Sequence, residues 1–145
     1  MAINKIVPTL PAVDIERAKK FYADNLSCKV TSEDPGPGAN LDCPGGQLYL
    51  YQRPTPTKAD HTVVDLETED LDGDMRQLRD NGVKFEEYDI PSMNIKTVNG
   101  VAELGDARGA WFKDSEGNIL GISEPSRAKV EHRQVEEVGA TSWYY

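Results

Sequence analysis

An α+β fold built from two βαβββ modules is what the sequence predicts, on three observations. The chain aligns with itself without a gap at an offset of 56 residues, pairing Val7 with Val63, Leu10 with Leu66, Asp14 with Asp70, Asp24 with Asp80 and Asn25 with Asn81. Each copy opens alike, with an extended apolar stretch, an acidic helix cap and an amphipathic helix of about three turns. Strand-like segments separated by turn signals follow each helix. The plain alternative is a pair of ordinary surface helices.

The first module spans residues 3–52. IVPTL leads to Asp14, whose carboxylate can accept from the free N–H groups of a first helical turn, and Ile15, Ala18, Phe21 and Tyr22 fall on one stripe. Three candidate strands follow, CKVTSE, ANLDCP and QLYLYQR, with DPGPG as the first turn and PGG before the third strand. The Gly36 to Gly38 fragment is interrupted by proline and opens no helix, so it reads as a turn and not as a phosphate cradle. Residues 53–60, RPTPTKAD, form a linker.

The second module spans residues 61–124. HTVVDL leads to Asp70, with Leu71, Met75 and Leu78 as the apolar stripe and Asn81-Gly82 as the stop. VKFEEYDI, a weak NGVAELG segment, GAWFKD and NILGISE then read as strands, the last two joined by the turn DSEG. That is one strand too many unless NGV belongs to a long connection. Residues 89–100, DIPSMNIKTVNG, form such a connection, in which Met93 and Ile95 either close over a ligand or belong to ordinary surface chain. Residues 1–124 thus make a single domain. Residues 125–145 read as a charged C-terminal helix and tail ending in Trp143, Tyr144 and Tyr145, unusual residues to leave in water.

Composition limits the function. The 145 residues fit one domain, and with 38% apolar residues there is no run near the ~18 that a membrane span needs. A formal net charge of -9, with no basic stripe interleaved with aromatics, sets a repulsive field against phosphate backbones and anionic lipid, so neither nucleic acid nor membrane is expected as a partner. No charged-then-apolar leader opens the chain. Cys28 and Cys43 are too few and too far apart to imply a disulfide scaffold or a thiolate metal knuckle, which places the protein in the cytoplasm with both thiols reduced. Neither cysteine has a histidine near it in sequence, so a thiol nucleophile has little support.

PAVDIERAKKFYADNL, together with AWFKDSEGNILGISE, resembles the glyoxalase, bleomycin-resistance and extradiol-dioxygenase superfamily, also called the vicinal oxygen chelate fold. The resemblance covers residues 4 to about 124 and rests most on the spacing of Asp14, Ala18, Phe21 and Tyr22 and on the FKDSEGN turn at 112–118. It implies two paired βαβββ modules forming a curved mixed sheet around a cleft, pairing within a chain or between chains, and a homodimer is expected. It also implies, in the enzymes, a divalent metal in the cleft. The first metal position, seven residues before the helix-capping Asp, is Val7; its counterpart before Asp70 is Val63. The carboxylate position four residues after the turn glycine is Gly121, and its first-module counterpart is Tyr49 or Leu50. Transition metals need three or four N, O or S donors converging at about 2.0–2.3 Å. On this reading no cofactor is held. A displaced site is conceivable, since His61, Val63, Asp65 and Glu67 alternate along one strand face, but residues two apart lie about 6.5–7 Å apart and seldom converge without a second strand. Thr9 is what the first strand offers on that face. Solvent at the strand ends is the plain alternative for His61 and Glu67.

Asp65 is the mid-strand residue that draws attention, because a half-buried carboxylate costs several kcal/mol unless paired. A Thr9, Tyr49 or Tyr51 hydroxyl would satisfy it structurally. In the functional version, Asp65 with Tyr49, Tyr51 and Trp111 receives a cationic or hydrogen-bonding small molecule, as bleomycin-resistance-like members do without metal or chemistry. Trp111 and the tyrosines serve equally well as core residues. The sequence thus points to a metal-free small-molecule binding protein with Tyr49, Tyr51, Asp65, Trp111, Thr9 and Glu67 at the ligand. A lyase, isomerase or dioxygenase with a non-standard site at His61, Asp65 and Glu67, and a protein-interaction module, are the alternatives.

Overall fold

The computed structural model describes residues 1–125; the expected C-terminal helix and the Trp143–Tyr145 end lie outside the described residues. Module one runs β1 (Thr9–Ala12), α1 (Ile15–Leu26), β2 (Lys29–Asp34), β3 (Gly38–Cys43) and β4 (Gly46–Gln52). Module two runs β5 (Thr62–Glu67), α2 (Leu71–Asp80), β6 (Asp89–Ile90), β7 (Ile95–Val98), β8 (Val101–Leu104), β9 (Ala107–Lys113) and β10 (Ile119–Glu124). The strands form two mixed sheets, ordered β1-β4-β3-β2 and β5-β10-β9-β8-β7-β6. In each, the strand before the helix pairs in parallel with the last strand of its module, and the rest is antiparallel. This is the paired βαβββ architecture.

Both helices start on the predicted aspartates. Asp14 accepts a hydrogen bond from the backbone N–H of Arg17, and Asp70 accepts one from that of Gly73, each three residues on. Ala18 and Tyr22 of α1 and Leu71, Met75 and Leu78 of α2 are buried, and with Leu10, Leu41, Leu50, Phe112, Leu120 and Ile122 they belong to one contiguous core. Alternation along the strands sends these residues inward, so their neighbours occupy the opposite sheet faces. The C-terminal ends of the helices meet where the Asn81 side-chain amide donates to Asn25 Oδ1 at 3.2 Å and to the Asp24 carbonyl at 3.3 Å. Asn25 and Asn81 are partners in the 56-residue alignment, so a hydrogen bond joins equivalent residues of the two copies.

The FKDSEGN turn holds one module to the other. Asp114 accepts from the Tyr22 hydroxyl at 2.6 Å, from the Asn118 amide at 2.8 Å and from the backbone N–H groups of Glu116 and Asn118. Asn118 also donates to the Pro11 carbonyl at 3.0 Å. Glu116 accepts from the Asp14 backbone N–H at 2.9 Å, from Ser115 and, bidentately, from Arg17. Burial pushes the Glu116 carboxyl up, but the hydrogen bonds from Arg17, Asp14 and Ser115 outweigh it and bring it down to about 2. The Tyr22 phenol moves the other way, raised by burial and by the adjacent Asp114 charge.

Three expectations are corrected. VKFEEYDI is no continuous strand: Phe85 makes an isolated bridge to Phe112, and Asp89–Ile90 pairs with Ile95 and Lys96. The segment from 89 to 100 is likewise no plain connection, because Ile95–Val98 and Val101–Leu104 form a hairpin through Asn99 and Gly100. Both turn residues have positive φ, 51° and 83°, the combination a two-residue hairpin loop favours and Asn-Gly supplies. The cysteines are the third case. Cys28 and Cys43 form a disulfide, bringing together residues 15 apart in sequence, so the thiols are not reduced. The physical reason is the β2–β3 hairpin, which pairs Lys29 with Asp42 and thereby sets the two neighbouring cysteines opposite each other.

Candidate functional site

The faces turned away from the core carry the expected ligand residues, in two separate groups. On the four-stranded sheet, Thr9 pairs with Tyr49 and Tyr49 with Asn40, so the three form one row across β1, β4 and β3. Tyr51 lies two residues on, opposite Pro11 and Gly38. The Tyr49 ring lies over Gly38, whose missing side chain leaves room for it, and its hydroxyl donates to Asp34 at 2.8 Å. That hydrogen bond to a carboxylate raises the Tyr49 phenol above its ordinary range. Thr9 is exposed and donates to the Val7 carbonyl.

On the six-stranded sheet, Asp65, Gly121 and Trp111 form a row across β5, β10 and β9. Asp65 is exposed, contrary to its expected half-burial, and accepts from Ser123 Oγ at 2.7 Å rather than from Thr9, Tyr49 or Tyr51. Trp111 is half-buried; its indole N–H donates to Thr62 Oγ1 at 3.1 Å, and its ring meets Tyr88 edge-on with centroids 5.5 Å apart. Burial raises the Tyr88 phenol, with the Glu86 charge acting the same way. Glu67 lies opposite Ser123 at the exposed end of β5. Thr62, Tyr88 and Ser123 were missed by the sequence reading. Ser123 had a signal: it stands two residues from Gly121, so it shares its face.

The two rows occupy equivalent places. Thr9 and Asp65 are 56 residues apart, and their neighbours on the closing strands, Tyr49 and Gly121, are therefore counterparts. This register assigns the first-module metal position to Tyr49 rather than Leu50. A divalent metal does not fit the residues at these positions. Val7, Val63 and Gly121 carry no donor, and the Tyr49 hydroxyl is committed to Asp34. His61 precedes β5 and lies exposed beside Asp60, and among the described residues no three His, Cys, Asp or Glu side chains converge.

Residues 2–122 match the Glyoxalase/Bleomycin resistance protein/Dioxygenase superfamily. The chain belongs to this superfamily. No curated protein matches the sequence. Among solved structures, the chain is similar to the fosfomycin resistance protein FosX from Listeria monocytogenes, at 12% identity and a TM-score of 0.65, covering 88% of this chain and 98% of that one. A glyoxylase/bleomycin resistance protein/dioxygenase domain from Frankia sp. EAN1pec is 17% identical with a TM-score of 0.64, over 85% and 98% of the two chains. TnmS3, an antibiotic binding protein from Streptomyces sp. CB03234, is 23% identical with a TM-score of 0.59, over 87% and 99%. These likenesses establish the shared fold. The four positions that the resemblance marks for metal ligands hold Val7, Val63, Gly121 and Tyr49.

Proposed function

We propose that the protein binds a small, cationic or aromatic molecule without metal and without chemistry, against the sheet faces that carry Thr9, Tyr49, Tyr51, Asp65, Glu67 and Trp111. The observation that carries this reading is the Asp65–Gly121–Trp111 row, where an open carboxylate stands beside an indole and glycine replaces the metal-binding carboxylate. Rings with negative faces beside a carboxylate favour a cation. TnmS3, among the similar structures, is an antibiotic binding protein, which supports ligand capture. A homodimer completes the proposal: the Tyr49 and Asp65 faces stay accessible in one chain, and a second chain laid over them would enclose the ligand.

Titration with an aromatic cation tests it. Saturable quenching of tryptophan fluorescence is expected, and it should vanish in Trp111→Phe, which leaves Trp143 as the remaining indole. Asp65→Asn should weaken binding by about 1–3 kcal/mol while keeping the fold, since it removes a charge and not a shape. Protein purified without chelator should hold less than about one-tenth equivalent of transition metal per chain. Stoichiometric nickel, zinc, iron or manganese would return the metal-dependent lyase or dioxygenase reading to first place.

A further inference from the structure

Each module carries a carboxylate and an aromatic ring on its open face, but builds the pair from different strands. In module two Asp65 and Trp111 stand on either side of Gly121. In module one the ring is Tyr49, at the counterpart of Gly121 itself, and its carboxylate is Asp34, the last residue of β2. We propose that the outer face of Tyr49 is a second cation seat, for an alkylated ammonium group, and that Asp34 and Gly38 are the positioning residues that hold the ring in place. The inference rests on the binding reading above and adds a seat on module one to the one at Asp65 and Trp111.

A side-chain carbon on Gly38 would fall 2.0 Å from the Tyr49 hydroxyl oxygen and 2.6 Å from Cζ, so the phenol end of Tyr49 fills the place of the side chain that Gly38 lacks. One ring face is thereby pressed on the backbone. The hydroxyl donates to Asp34 Oδ2 at 2.8 Å, and a ring pinned at both places has lost its rotamer freedom before any ligand arrives. Ordering on binding then costs little. The other face is left for a ligand: Tyr49 is only half-buried, and among the described residues no second ring packs on it. Donation to a carboxylate, which also raises the phenol, leaves more negative charge on the ring and strengthens its pull on a cation. With its O–H committed, the ring presents chiefly a π-face, which suits an ammonium whose N–H groups are replaced by carbon. Asp34 is exposed at the ring edge and adds a long-range attraction, as the net charge of -9 does for the whole surface.

Heteronuclear NMR titration with benzyltrimethylammonium, and with neutral benzyl alcohol, tests the proposal on protein labelled in tyrosine and tryptophan. The Tyr49 ring signals report the new seat and the Trp111 indole signal the other one, each assigned by its loss in Tyr49→Phe or Trp111→Phe. In the wild type the cation should shift both saturably, whereas the alcohol should leave Tyr49 unmoved. Gly38→Ala drives the ring off the sheet but keeps Asp34, and Asp34→Ala removes the anchor of the hydroxyl. Each should weaken binding at Tyr49 by about two- to fivefold and leave the Trp111 response unchanged. Circular dichroism checks both variants; if Gly38→Ala fails to fold, Asp34→Ala decides alone, since Asp34 is exposed. A Trp111 shift without a Tyr49 shift, or a Tyr49 response that either folded variant leaves intact, overturns the seat and leaves the binding reading standing. An equal Tyr49 response to alcohol and cation does the same. Silence at both residues overturns the seat and the reading beneath it.

Discussion

Glu116 is a carboxylate with almost no solvent of its own, and its charge is kept by Arg17, which is itself half in water. A group whose carboxyl falls from an ordinary value near 4.5 to about 2 on folding stabilises the fold above pH 4.5, and that contribution is lost as the pH falls toward 2. With a discount for the solvent around Arg17, the stabilisation is about 2 kcal/mol at neutral pH. Glu116→Gln should therefore lower the unfolding free energy in urea by about that amount at pH 7 and by much less at pH 3. Tyr22→Phe probes the neighbouring contact: it removes one of four hydrogen bonds to Asp114 in a buried place and should cost about 1–3 kcal/mol. The sequence showed the FKDSEGN turn as a family signature, but not its physical role, because Tyr22, Arg17 and Pro11 come to it from about a hundred residues away. Asp65 failed in the opposite direction. Alternation placed it correctly on a face with Val63 and Glu67, yet alternation carries no information about what covers that face, and in one chain the carboxylate is open.

Helices were legible and edge strands were not. Asp14 and Asp70, each followed by an apolar stripe, contain within a dozen residues the cap and the periodicity that define a helix. The strands of module two depend on partners: VKFEEYDI has β-forming residues, but the edge beside β8 is taken by Ile95–Val98, brought there by the Asn99-Gly100 turn. That turn is testable. Gly100→Ala would place a methyl 3.0 Å from Phe85 Cβ at a φ of 83°, and should destabilise the fold by about 1–2 kcal/mol without altering ligand affinity. The disulfide is the other long-range feature that local reading missed. Replacing Cys43 by Ser should lower the unfolding free energy measured in urea by up to about 3 kcal/mol in the chain-entropy account for a loop of this size.

At the scale of the molecule, the shared core and the Asp114–Asn118 contacts make the modules interdependent, although each sheet closes its own hydrogen bonds. Cleavage within the linker at 53–60 should leave the two pieces together in gel filtration, and thermal unfolding should remain a single transition. Separately expressed residues 3–52 and 61–124 should not fold alone, since each would expose half of one core. The repeat and both helices followed from the 56-residue offset, while Gly121 was reached by counting from the DSEGN turn. Thr62 beside Gly121 and Tyr88 against the Trp111 ring did not follow, because they come from segments distant in sequence.

The cysteine bridge makes the two repeats mechanically unequal. Pulled from its ends, module two can pay out its full contour, while module one keeps the loop between Cys28 and Cys43, 15 residues of chain, closed against the load. A force-extension trace of the oxidised protein should fall short of the reduced one by roughly 50 Å, taking 3.3–3.6 Å of reach per residue. The missing length should appear as a discrete step when a reductant is added under tension.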